Sequence, residues 1–108
     1  MKQSEFAGTA FTPKERIVYA EGSIVSQQLT KNEAGNITLF AFDKGQQLSE
    51  HSAPFDAVIQ ILEGEAEIRI DGIPHHLIAD QMIIMPADVP HAILATTRFK
   101  MLLIMIKG

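Results

Sequence analysis

The sequence predicts an all-β domain, a sandwich or a barrel, and three observations predict it. Eight or so short runs of apolar and β-branched residues are separated by turn residues. Asp71-Gly72 between two such runs is the strongest hairpin signal, because both central residues of a type I′ turn need positive φ. No stretch keeps a helical period over a useful length.

The elements follow in order. Residues 1–16 read as an arm, ordered only if something holds it down. Ile17 to Ala20 reads as a short strand, and Glu21-Gly22 as a turn, so residues 1–22 stand apart from a single domain over 23–108. Ser23 to Thr30 is a strand by its β-branched content, and Lys31 to Gly35 a polar turn. Asn36 to Asp43 is a strand apolar on both faces, with Ile37, Leu39 and Ala41 on one and Phe40 and Phe42 on the other.

Phe55 to Leu62 is a second apolar strand, followed at Glu63-Gly64 by hairpin-turn chemistry. Glu65 to Ile70 alternates, with Glu65, Glu67 and Arg69 outward and Ala66, Ile68 and Ile70 inward. Across Asp71-Gly72, Ile70 faces Ile73 and Ile68 faces His75, which puts His75 inward and His76 outward. Met82 to Met85 is a short buried strand stopped by Pro86, and a loop over 86–90 leads to His91. His91 to Thr97 and Phe99 to Lys107 complete the chain. The last strand is also apolar on both faces, which predicts a homodimer that hides it together with 36–43.

Composition narrows the function classes. A chain of 108 residues, 46 % hydrophobic, is one folded domain. The net charge is -4 with no basic stripe, which argues against nucleic acid and anionic membranes as partners. There is no cysteine, hence no disulfide, thiolate metal site or cysteine nucleophile, and the expected location is cytoplasmic. No apolar run approaches the roughly 20 residues that span a bilayer, and the first residues lack the apolar core of a secretory signal.

Two spacings point to one family. From Gly45, His51 follows after five residues and Gly64 after eighteen; Pro86 is followed by His91 after four. These residues resemble the cupin superfamily, whose first motif reads G-x5-H-x-H-x3-E-x6-G and whose second reads G-x5-P-x-G-x2-H-x3-N. Gly45, His51, Gly64, Pro86 and His91 occupy motif positions in frame, and the resemblance covers roughly residues 23–107. It implies a small double-stranded β-helix, a jelly-roll barrel. It also implies a divalent metal held by three histidines and a glutamate. Here Ala53 and Ala57 stand where two of those ligands belong, on one face with His51 if the strand is regular. Asp80 and Asp88 replace motif-two glycines, and Ala95 the asparagine; aspartate tolerates the left-handed φ such turns need.

The candidate metal ligands are therefore His51 and His91, with any divalent metal ion weakly held. Structural histidines, hydrogen-bonded to each other, to backbone or to water, are the bland alternative. A ligand pocket is expected from His51, Phe55, Ile59, Ile61, His91 and Ile93, with plain core as the alternative for Phe55. The expected function is binding of a small molecule in the barrel cavity. The alternative is a metal-dependent cupin enzyme, dioxygenase- or isomerase-like, in which water or substrate completes the shell of His51 and His91; a purely structural dimerisation unit is a third reading. His75 and His76 read as structural. The five methionines read as core filler, and Glu65 and Glu67 as a solvated face.

Overall fold

The computed structural model describes residues 4–107. Among these, nine strands form two antiparallel sheets: β1 (Ile24–Asn32), β2 (Gly35–Phe42), β3 (Gln47–His51), β4 (Asp56–Glu63), β5 (Glu65–Ile70), β6 (Ile73–Ile78), β7 (Met82–Met85), β8 (His91–Leu94) and β9 (Phe99–Ile106). The larger sheet runs β1-β2-β9-β4-β7 and the smaller β3-β8-β5-β6. The two close on a common core as the jelly-roll barrel that the spacing of the motifs implied.

Alternation decides which side chains enter that core. Phe42, Ile59, Ile61, Met85, Phe99 and Met101 come from the larger sheet, and Ala66, Ile68, Leu77 and Ile93 from the smaller. The Phe42 and Phe99 rings stack at 4.6 Å and 19°, an offset that adds to their burial. Asp71 (φ 53°) and Gly72 (φ 79°) close β5 and β6 as a type I′ hairpin pairing Ile70 with Ile73 and Ile68 with His75. His75 lies on the inward face at the open end of an edge strand, where it is exposed; His76 approaches Glu65 at 3.4 Å. Asp80 and Asp88 both have positive φ, 75° and 65°, so aspartate makes the two turns where the family motif has glycine.

Four expectations are corrected. Ile17 to Ala20 is not a strand but part of the arm. Met82–Met85, read as a buried strand, is the edge of the larger sheet, and its Met82 and Ile84 side chains are exposed. Glu63-Gly64 is not a hairpin, because β4 and β5 lie in different sheets. Gly64 is instead the crossing point: a Cβ there would stand 2.1 Å from the Arg98 carbonyl oxygen, and its φ is 79°. Finally, β3 ends at His51 and residues 52–55 are not strand, so parity does not carry from His51 to Ala57.

The arm explains the second apolar face of β2. Phe6 and Ile17 pack with Leu29, Leu39 and Ala41 in a separate core on the outer face of the larger sheet, with Phe11, Tyr19, Leu62 and Leu102 around it. Polar contacts pin the arm: the Ser4 hydroxyl donates to the Leu29 carbonyl, Lys100 Nζ to the Lys14 carbonyl at 2.7 Å, and Tyr19 Oη to Glu63 Oε2 at 2.7 Å. Burial and then the Glu63 carboxylate push the Tyr19 hydroxyl above the usual phenol range. Half of the apolarity that suggested a partner is thus satisfied within one chain. The strip over β7, β4 and the end of β9 is not covered: Ile84 is 61 % exposed, Met82 56 % and Ile106 52 %.

Candidate functional site

One end of the barrel gathers the chemistry. β3 ends there at His51 and β4 begins at Asp56; β7 ends there at Met85 and β8 begins at His91. The two connecting loops are tied together, Asp88 N–H donating to the Ala53 carbonyl at 2.7 Å and Ala87 N–H to Asp56 Oδ1 at 2.9 Å.

His51 and His91 are direct cross-strand partners. Their ring centroids are 4.4 Å apart with planes at 69°, an edge-to-face pair. His51 is exposed, whereas His91 is buried, with 6 % of its surface accessible. His51 Nδ1 lies 2.8 Å from the Ser49 carbonyl oxygen and His91 Nδ1 3.3 Å from that of Val89. A carbonyl oxygen only accepts, so these bonds assign the hydrogen to each Nδ1 and leave the lone pair of the neutral ring on Nε2. Burial, and next the nearby His51, hold the His91 pKa below its ordinary value of 6.5; the bond to Val89 opposes them. Near pH 7 His91 is therefore a neutral base.

The other expected pocket residues divide. Phe55 is half-buried in the loop before β4. Ile93 is buried on the inner face two residues beyond His91. Ile59 and Ile61 have no accessible surface at all, so no water-sized space touches them; they are packed core deeper in the barrel.

The four-ligand divalent centre does not fit these residues. No group of three or more His, Cys, Asp or Glu side chains among the described residues is placed to hold one ion. Ala57 is inward and buried, and Asp56, one residue away, spends its carboxylate on the Ala87 N–H. Catalytic zinc takes three protein ligands and non-haem iron two histidines with a carboxylate. What sequence inspection missed is the flank of Ala57: in register on either side stand Met85 and Met105. Their sequence signal, methionine near the end of two apolar strands, is the same as that of core filler.

Residues 38–107 match the Cupin domain family. The chain belongs to the cupins. Its likeness to solved cupin-type structures is close. A conserved protein of unknown function from Streptococcus pyogenes is 34 % identical over 100 % of this chain and 96 % of its own, with a TM-score of 0.92. A cupin superfamily protein from Desulfitobacterium hafniense is 32 % identical over 93 % of each chain, TM-score 0.87. A Cupin 2 conserved barrel domain protein from Leptotrichia buccalis is 40 % identical over 90 % of this chain but only 47 % of its own, TM-score 0.87. No curated protein matches significantly.

Proposed function

We propose that this cupin is a small-molecule binding domain whose ligand sits at the open end of the barrel against the His51–His91 pair. The observation that carries the reading is the pair itself: two imidazoles 4.4 Å apart, each with Nδ1 engaged by backbone and Nε2 left as an acceptor. With His91 neutral, its Nε2 acceptor near the apolar Ile93 of the same strand suits a mixed ligand, an apolar body carrying a hydroxyl or amino donor. Such a ligand meets the imidazole edges first; reaching Ile59 or Ile61 requires the core to open. Among the described residues, the metal-dependent alternative lacks a carboxylate or any third His, Cys, Asp or Glu placed to join the pair.

The test is a ligand-observed NMR screen of small apolar alcohols and amines against the parent and His51→Ala. Hits that persist in the variant remove the imidazole pair as the site. Divalent metal retained in stoichiometric amount through dialysis against chelator moves the metal-enzyme reading ahead.

A homodimer is part of the same proposal. Ile84, Val58 and Ile104 form one in-register row across β7, β4 and β9, and with Met82 and Ile106 they make a bare apolar strip that a second copy would cover. A cytoplasmic setting is compatible with a chain free of cysteine; no helix among the described residues is long and apolar enough to cross a membrane.

A further inference from the structure

We propose that the His end of this barrel binds a soft monovalent cation, Cu(I), with His51, His91, Met105 and Met85 as its ligands. The inference rests on the proposed site and names a different occupant for it. It starts from the misfit: the family's hard, anionic ligand is gone, and thioethers flank its place.

Topology puts the four residues at one end of the barrel. Met85 on β7 and Met105 on β9 are both cross-strand partners of Ala57, one on each side. In-register neighbours stand about 4.5–5.5 Å apart at Cα and project to the same face of a sheet. Ala57 belongs to the inner core, Met85 is buried in it, and Met105 packs against it, so that face is the interior. β9 runs antiparallel to β4, with Asp56 opposite Ile106, so Met105 lies at the same end as the start of β4. The loop bonds Asp88–Ala53 and Ala87–Asp56 fix β8 and its first residue, His91, to that end. His91 shares the inward parity of Ile93 and pairs with His51 on the facing sheet. Packed sheets lie about 10 Å apart, a gap that a methionine from one side and a histidine from the other span together.

The chemistry selects the ion. Thioether and imidazole are neutral ligands, and thioether sulfur selects Cu(I) over hard divalent ions. None of the four ligands is anionic, so a divalent ion would bring an uncompensated charge of two against the apolar core that holds Met85. The cost of burying a charge rises with its square, which favours a monovalent ion. The carbonyls of Ser49 and Val89 on the two Nδ1 atoms orient both Nε2 lone pairs, as backbone acceptors do for metal-bound histidine.

The experiment is an anaerobic titration of metal-free protein into Cu(I) held by a coloured chelator such as bicinchoninate, followed by its absorbance. One equivalent should be withdrawn per chain, and Zn(II) should be held more weakly in a parallel competition. On the parent labelled with 13C-methyl methionine, two of the five methyl resonances should shift with one equivalent of Cu(I). Loss of an outer-shell partner alone costs about 10–100-fold in metal affinity, so Met105→Leu and His51→Ala should each weaken binding at least about tenfold. Met105→Leu keeps the apolar volume, and its circular dichroism checks the fold; should it not fold, the methyl shifts decide.

Copper left with the chelator overturns the inference, as do unmoved methionine methyls or a folded Met105→Leu that binds as tightly as the parent. Failure here leaves the small-molecule site standing if the NMR hits still vanish in His51→Ala. If those hits persist in His51→Ala while copper is withdrawn and the two methyls shift, the small-molecule reading falls and the cation site stands.

Discussion

Restoring one anionic ligand tests the geometry of the site most sharply. Ala57→Glu sets a carboxylate on the inner face between Met85 and Met105, where the wild-type side chain is 2 % exposed. Without metal the change is costly. Extra atoms in a packed core cost about 1–3 kcal/mol, and a buried polar group without a full partner adds about 1–3 kcal/mol. A loss of about 2–6 kcal/mol results, and at about 4–8 °C per kcal/mol for a domain near this size the melting temperature falls by about 10 °C or more. Metal offsets most of that loss. His51, His91 and Glu at position 57 make a two-histidine, one-carboxylate set, and a metal at about 1,000 times its Kd contributes about 4.1 kcal/mol of stability. The assay is thermal unfolding of parent and variant at pH 7.5, with and without Zn(II) or Mn(II). The variant should melt lower than the parent when metal-free and recover most of the difference with metal, while the parent responds little. A metal-free variant as stable as the parent would show that position 57 does not face the core. A folded, weakened variant indifferent to both metals would show that position 57 does not converge with the histidines.

Four further outcomes are expected. His91 has a folded pKa below the ordinary 6.5, so its unfolded form binds the proton first; the stability from the neutral ring is complete above about pH 6.5 and is lost as pH falls toward the folded pKa, at no more than about 1.4 kcal/mol per pH unit. Denaturant melts of the metal-free protein across pH 4.5–7.5 check this, and His91→Gln should flatten the profile over that window. Ile17→Ala, which removes a buried anchor of the arm, should cost about 2–4 kcal/mol, read as a lower urea midpoint; an unchanged midpoint refutes the docked arm. Gly64→Ala should fail to fold or unfold far more readily, because its Cβ would meet the Arg98 carbonyl at 2.1 Å, whereas Gly72→Ala, with the same φ of 79° but open space around it, should cost about 1 kcal/mol; equal costs at the two positions refute the crossing-point role. Light scattering should give a dimer at micromolar concentration, and Ile84→Lys should shift it to monomer; a monomeric parent removes the dimer.

The course of the strands was legible because their signals are local. Alternation in Glu65–Ile70 has the strand period whatever its neighbours, and Asp71-Gly72 needs only its own φ values. The fixed spacing of Gly45, His51, Gly64, Pro86 and His91 gave the barrel and the family, since each marks a turn or an inward position that the fold repeats. The pairing of His51 with His91 followed from the same frame.

The sequence by itself thus determined the strand runs, the turns, the family and the loss of two metal ligands. Beyond the local β5–β6 hairpin, only the tertiary structure decided which strands neighbour one another, because that pairing joins residues far apart in the chain. It alone placed β4 and β5 in different sheets, so that Gly64 became a crossing where a hairpin was expected. It alone laid Phe6 and Ile17 over β2, an apolar contact with no local period to announce it. It closed the core over Ile59 and Ile61, and it set Met85 and Met105 on either side of Ala57, where a methionine ceases to be filler only because of what stands across the barrel.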